Sequence, residues 1–237
     1  MKLKAVLLDM GGVVLEMANA RGVPVDRLDW RGREALLRLI RQQGGHLKRE
    51  DLEHLLFAPW RARHDRRHEL GREARWDPHL SRLRRHAGIR THNDTLLAAW
   101  FRPYGEQLAP VPGAEKALIA LQDLGLALVL VSNVPLPGEH YRRVLDRYGL
   151  GDRFAALFFS YDFGSRKPSP AMLRAALERL GVSASEALMV GDLRDRDIAA
   201  GRAAGTSTVW VRSHDGGGPE PDHEIDSLAE LPELLRS

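Results

Sequence analysis

The feature that most limits what this chain can fold into is a series of short apolar runs, each ending in polar residues or glycine. Four are pronounced: AVLLD (5–9), LALVLVSN (126–133), EALMVGD (186–192) and TSTVWV (206–211), with FAALFFS (154–160) a weaker fifth. Continuous apolar runs of this length suit strands covered on both faces, as in a parallel sheet. Helical patterns over 113–124, 138–148, 168–180 and 195–204 separate them. In SPAMLRAALERLG, Pro170 stands near the first turn and Gly181 just past the last, the positions these residues favour. The glycines of GRAAG (201–205) are read in the same way, as closing a helix before the next strand.

Strand alternating with helix predicts an α/β fold, a Rossmann-like doubly wound parallel sheet. Residues 15–105 break the alternation and read as helices only, over VDRLDWRGREALLRLIRQQ, KREDLEHLLF, PHLSRLRRHA and NDTLLAAWFRPYGEQL. Leu36, Leu37, Leu39 and Ile40 fall near one stripe of the first, as a packed amphipathic helix requires. The expected organisation is a catalytic core of residues 1–14 and 107–237 with an inserted α-helical cap domain of residues 15–106, lying over the sheet's carboxyl edge. DGGGPEPDHE (215–224) reads as a flexible loop, followed by a short terminal strand and helix.

Composition narrows the function. The N-terminal apolar stretch is short and broken by Asp9, so it is neither a signal peptide nor a membrane span. The expectation is a cytoplasmic protein, monomer or homodimer, without a membrane partner. With no Cys, thiolate metal sites and thiol nucleophiles are excluded. Residues 15–105 carry 19 Lys and Arg against 12 Asp and Glu, whereas the rest carries 16 against 20. A basic segment facing an acidic one suits an anionic substrate. RARHDRRHELGREARW (61–76) mixes acids with its arginines and lacks interleaved aromatics, so a solvated helical surface, and no nucleic acid, is expected there. Trp30, Trp60, Trp76 and Trp100 are read as packing residues.

In open α/β sheets, ligands bind beyond the carboxyl ends of the strands. Asp9, Ser132 with Asn133, Lys167 and Asp192 all follow apolar runs and would converge on one crevice. A carboxylate nucleophile can attack phosphorus, splitting one hydrolysis into two easier steps. Two carboxylates supply hard oxygen ligands suited to Mg²⁺, a lysine supplies a fixed positive charge, and a hydroxyl can hold phosphoryl oxygens. Taken singly, each residue has a plainer reading: Asp9 as a helix N-cap, Ser132-Asn133 as a turn, Lys167 as the start of a helix, and Asp195 as a first-turn acid.

LLDMGGVV, LVLVSN, SRKPSP and VGDLRDRDIAAGRAAG resemble, in order and spacing, the four motifs of the haloacid dehalogenase-like hydrolases. The long gap between the first two resembles the subgroup with a helical cap inserted there. The resemblance implies that Asp9 is the nucleophile, Ser132 a phosphate-binding hydroxyl with Asn133 beside it, and Lys167 the stabilising lysine. It implies metal ligation by Asp9, by the backbone carbonyl of Gly11 and by Asp192, with Asp197 binding metal-bound water or orienting Lys167, and Mg²⁺ as the cofactor. Arg196 departs from the pattern, where many relatives carry Asn or Asp.

Gly11 departs further. Most phosphatases of the family have an aspartate there that protonates the leaving oxygen, help worth roughly 10²–10⁴-fold. Three readings follow: a phosphatase for good leaving groups, such as sugar 1-phosphates or acyl phosphates; a metal-free dehalogenase, a branch that typically lacks the Gly-Asp present here as Gly191-Asp192; or a catalytically weak protein that binds a ligand or partner.

Overall fold

A computed structural model of the chain describes residues 2–16, 22–213 and 217–236. Six parallel strands form its sheet, in the order β5-β4-β1-β6-β7-β8: β1 (Ala5–Leu8), β4 (Ala127–Ser132), β5 (Ala156–Phe159), β6 (Ala187–Gly191), β7 (Ser207–Val211) and β8 (His223–Ile225). β1 is central, with β4 on one side and β6 on the other. The chain lays down β4 and β5 outward from β1, then returns to add β6, β7 and β8 on the opposite flank. The point where the strand order reverses therefore lies at the carboxyl ends of β1, β4 and β6.

Alternation along the strands divides the core. Val6, Leu8, Leu128, Leu130, Leu188 and Val190 pack on one face, while Leu7, Val129, Val131 and Met189 pack on the other with Met172, Leu173, Ala176 and Ala200. Both faces are covered, which is why these strands read as unbroken apolar runs rather than as alternating ones. β5 reads more weakly because it is the edge strand and three of its four residues are only half-buried. The covering helices are α6 (Ala114–Asp123), α7 (Gly138–Arg147), α9 (Ala171–Leu180) and α10 (Ala199–Ala204), with short helices α8 (Ser160–Phe163) and α11 (Leu231–Leu234). Gly181 closes α9 in the left-handed conformation, φ 65°. In GRAAG only Gly205 does so for α10. Gly201 lies inside that helix, where any Cβ would press on Met189 and Thr208 of the sheet; its expected closing role is corrected to one of close helix–sheet approach.

Between the sheet's first two strands stand α1 (Val25–Gln42), α2 (Arg49–Leu52), α3 (Ala58–Glu69), α4 (Asp77–Ala87) and α5 (Asn93–Gly105). A π-helical turn over Glu53–Phe57 joins α2 to α3. α1 packs on α5 through Gly32, where a Cβ would collide with Trp100, and Leu36, Leu37 and Ile40 of its stripe are buried. α3 carries no apolar stripe and falls largely within the helical surface expected over 61–76. One feature departs from the sequence reading: residues 15–105 are not helical throughout, because β2 (Leu15–Glu16) pairs antiparallel with β3 (Ala109–Pro110). The chain thus leaves and re-enters the sheet through one two-stranded ribbon, extended by the Val111 N–H donating to Val14 O at 3.0 Å. The loop expected over 215–224 lies partly outside the described residues; its end contains β8, the expected terminal strand.

The helical insertion is also stitched to the core away from that ribbon. Glu73, 2% exposed, accepts a hydrogen bond from Ser160 Oγ at 2.6 Å and pairs with Arg166 at 3.2 Å. The Trp76 indole donates to Pro135 O at 2.7 Å, and the Arg166 N–H donates to Gly71 O at 3.0 Å. Residues 71–76 are therefore fixed against the loops that follow β4 and β5.

Candidate active site

Asp9 directly follows β1, Ser132 ends β4, and Asp192 directly follows β6, so three of the expected residues share the sheet's carboxyl edge. Lys167 reaches the same place from the loop before α9. Its Nζ lies 2.6 Å from Asp9 Oδ1 and 2.6 Å from Asp197 Oδ1, and donates to Val131 O at 2.7 Å. These three oxygens surround the ammonium, two of them as hydrogen-bond acceptors, and the side chain is 2% exposed. Burial alone would lower the Lys167 pKa, but Asp197 and Asp9 outweigh it and hold it above its ordinary value.

Asp197 belongs to a second π-helical turn, Arg194–Ile198. Its Oδ2 accepts from the Leu193 N–H at 3.0 Å, while its buried Oδ1 has the Lys167 ammonium beside it as an ion pair but no hydrogen-bond donor. Gly191 is required beside it, because a Cβ there would overlap the Asp197 carboxylate. Gly12 stands in the same relation to Asp192: its φ is +73°, and a Cβ would overlap Asp192 Oδ2. The two glycines of GGVV and VGD are thus what let the acids approach one another.

Asp9, Asp192 and Asp197 each present an oxygen, and these lie within 4.8 Å of one another. Burial, followed by the charges of Asp9 and Asp197, pushes the Asp192 carboxyl up to about 8. Burial likewise raises Asp197, against the pull of Lys167, to about 6. Asp192 Oδ1 is buried without a hydrogen-bond donor. One lysine among three carboxylates leaves negative charge uncompensated, and a donorless carboxylate oxygen is what a cation would satisfy. Hard oxygens of this kind fit Mg²⁺. Gly11 lines the same cavity.

The Asn133 side chain, of a residue expected to contact phosphate, is engaged within the protein. Its Oδ1 accepts from the Lys167 N–H and its Nδ2 donates to Lys167 O, both at 2.9 Å. It thereby fixes the main chain that carries the lysine. Ser132, 3% exposed, lines the cavity without such a commitment.

The cavity has a volume of about 620 Å³ and lies between the sheet edge and the helical insertion. Core residues Asp9, Ser132, Lys167 and Asp192 form its floor, and Phe57, Trp60, Trp76 and Trp100 line it from the insertion. The sequence reading of Trp60, Trp76 and Trp100 as packing residues is half of their role, since they pack on one another along this wall. Trp30, by contrast, is half exposed with Arg49 over its ring. Arg196 also lines the cavity; its departure from the family pattern was the one signal for it in the sequence. Nothing in the sequence pointed to the Glu73–Arg166 pair.

A model of the haloacid dehalogenase-like hydrolases matches residues 3–205. A ribulose-1,5-bisphosphate 5-phosphatase of Halopiger xanaduensis is 33% identical over 166 residues, covering 65% of this chain and 69% of that protein. A phosphoglycolate phosphatase of Neisseria gonorrhoeae is 36% identical over 137 residues, covering 54% of this chain and 56% of that protein. Among solved structures, a HAD phosphatase from Thermococcus onnurineus superposes with a TM-score of 0.64 at 25% identity over 98% of both chains. A 2-haloacid dehalogenase from Pseudomonas syringae superposes equally well, with a TM-score of 0.65 at 24% identity over 99% of this chain and 98% of that one, a likeness of fold alone. The motifs, the sheet order and the family match over most of its length agree: this chain belongs to the haloacid dehalogenase-like hydrolases.

Proposed function

We propose that the protein is a Mg²⁺-dependent phosphohydrolase of a small phosphorylated metabolite, working through an aspartyl-phosphate. The observation that carries this reading is the Lys167 ammonium held between Asp9 and Asp197, with the donorless Asp192 carboxylate beside them. Lys167 engages Asp9 Oδ1, which leaves Oδ2 to attack phosphorus. The bond from phosphorus to the leaving oxygen breaks, and water then attacks the same phosphorus, releasing phosphate and restoring Asp9. Ser132 and Lys167 hold phosphoryl oxygens as charge builds on them. Asp197 and Asn133 act through Lys167, one on its ammonium and one on its main chain. Asp9, Asp192 and the Gly11 carbonyl would hold Mg²⁺, which supplies charge neutralisation for the approach of two anions. The helical insertion, residues 15–106, serves as the cap that encloses the leaving group.

The tyrosines of the cavity and Asp29 do not replace the proton donor absent at Gly11. Burial pushes Tyr104 up to about 12 and Tyr141 well above its ordinary value, which makes both poor acids. Both Asp29 oxygens are taken, by the Trp100 indole at 3.0 Å and by Arg33 at 2.6 Å. A good leaving group, of the sugar 1-phosphate or acyl phosphate kind, fits this arrangement.

The test is a panel of phosphorylated metabolites and 2-haloacids, assayed with Mg²⁺ and with chelator. Phosphate release that needs Mg²⁺ and disappears in Asp9→Asn is expected. Halide release undiminished by EDTA would replace this reading with the metal-free dehalogenase. No turnover of any compound would favour the ligand-binding reading.

A further inference from the structure

The cavity wall narrows the substrate class. Phe57, Trp60, Trp76 and Trp100 form one contiguous aromatic surface: Trp60 stacks on Trp76 with centroids 4.0 Å apart and planes 5° apart, Trp100 meets Trp76 edge-on at 5.0 Å, and Phe57 meets Trp100 at 5.2 Å. Phe57 and Trp76 are buried and back the wall, while Trp60, which also has the His64 ring at 4.7 Å, and Trp100 are half-buried and present surface. These separations leave no slot between the rings, so a ligand docks against the wall rather than into it.

The wall also has no free polar handle. The three indole N–H groups donate inside the protein, Trp60 to Ala74 O at 3.4 Å, Trp76 to Pro135 O at 2.7 Å and Trp100 to Asp29 Oδ1 at 3.0 Å. Arg33 and Arg61, the insertion's cations on this cavity among the described residues, are both bound to Glu53, and Arg33 also to Asp29. On the insertion side, a second phosphate or a carboxylate on the leaving group would therefore meet cations already neutralised; on the core side, Arg196 has Asp195 beside it at 3.8 Å. Sugar hydroxyls would give up water against ring faces that return no hydrogen bond, which costs binding.

From this we infer that the leaving group is a neutral planar aromatic, and that the substrate is an aryl phosphomonoester. The inference rests on the phosphohydrolase reading and puts an aryl leaving group in place of the sugar 1-phosphate or acyl phosphate kind. A phenol-type oxygen departs as the aryloxide when Asp9 forms its bond to phosphorus, and it takes its proton from water afterwards. The same class thus meets both peculiarities of the site, the missing acid at Gly11 and the aromatic wall. The cavity volume is in the range that encloses a drug-sized ligand, more than acetyl phosphate needs.

The experiment compares kcat/KM for 2-naphthyl phosphate, phenyl phosphate, acetyl phosphate and glucose 1-phosphate in the wild-type protein with Mg²⁺. Naphthyl and phenyl leaving groups are similar in acidity but differ in ring area, so a preference of about tenfold for naphthyl is expected from ring contact. Glucose 1-phosphate should be the poorer substrate by a wider margin. Trp60→Leu should lower the naphthyl-to-acetyl ratio by about tenfold, and Trp60→Phe should keep most of it. Equal kcat/KM for naphthyl and phenyl, or faster turnover of glucose 1-phosphate, would overturn the aryl assignment while leaving a phosphohydrolase. Failure to hydrolyse all four would overturn both. The wild-type comparison decides the matter even if Trp60→Leu does not fold.

Discussion

The Lys167 ammonium lies 2.6 Å from Asp9 Oδ1 with its side chain almost wholly out of solvent. A buried charge pair is costly to break, because the partner left behind keeps its desolvation penalty and loses its compensation, a loss of about 3–5 kcal/mol. Lys167→Met strands two carboxylates at once. We expect that loss of stability in denaturant unfolding, together with a fall in turnover of at least about 10²–10³-fold, as when one preorganised donor to a reacting oxygen is removed. Activity within tenfold of wild type would show that the lysine is a strut and not part of the reaction.

Asp192 separates the metal site from mere acid clustering. Its charge is unfavourable beside Asp9 and Asp197, so Asp192→Asn should leave the metal-free protein as stable as wild type or more so. A ligand that binds only the folded state raises the melting temperature in proportion to its concentration over its dissociation constant. Wild type should therefore melt higher in millimolar Mg²⁺ than in EDTA, and Asp192→Asn should not. Equal Mg²⁺ shifts in the two proteins would remove Asp192 from the ligand set.

Glu73 joins the helical insertion to the core through Ser160 and Arg166. Glu73→Ala leaves the Arg166 guanidinium buried and unpaired, at a cost of about 3–5 kcal/mol. Glu73→Gln keeps an acceptor for Ser160 and should lose less. A double-mutant cycle with Arg166→Met, read by denaturant unfolding, should show clear coupling between the two positions. Additive losses would mean that the pair does not tie the insertion down.

The chemistry-bearing residues were readable because a parallel sheet imposes a rule that sequence can express. Asp9, Ser132 and Asp192 each end an apolar run, and parallel strands put all such ends on one edge. Lys167 was readable from its motif rather than from any periodicity. Glu73 and Ser160, 87 residues apart, carry no pattern that relates them, and the two-residue ladder of β2 and β3 is too short to leave one. The arginine-rich helix α3 is expected as a solvated surface, but the place of its one large aromatic, Trp60, was not readable, because the cavity wall it joins is assembled from three other segments. Asn133 is read as a phosphate contact from its place beside Ser132; only the fold brings the Lys167 main chain against its amide.

His140 supplies a pH dependence outside the site. It is 6% exposed, its Nε2 has no hydrogen-bond partner, and it packs against Phe101 of α5. Burial, helped by Arg143, lowers its pKa below 6.5 against the opposing charges of Asp94, Glu139 and Asp162. The fold thus holds the neutral ring. Above pH 6.5 neither state binds the proton and this stability is fully present. As pH falls below 6.5 the unfolded chain takes up a proton that the folded chain refuses, so stability declines until the folded value is passed. The melting temperature should drop between pH 7.5 and 5, and His140→Gln should flatten that drop. Parallel profiles would assign the decline to other groups.

Gly11 is where the reaction and the substrate meet. General acid help is worth roughly 10²–10⁴-fold when the leaving oxygen is a strong base and little when it is a weak one, because a weakly basic oxygen departs with its charge already spread. Gly11→Asp should therefore raise kcat/KM on glycerol phosphate, whose leaving group is an alkoxide, far more than on phenyl phosphate. The ratio of the two should move toward the alkyl ester by at least about tenfold. The substitution also adds a carboxylate close to Asp9 and Asp192, which sharpens the demand for a cation, so the comparison belongs in saturating Mg²⁺. If both substrates gain or lose equally, protonation of the leaving group does not limit this site, and the glycine reflects the crowding of acids rather than the choice of substrate.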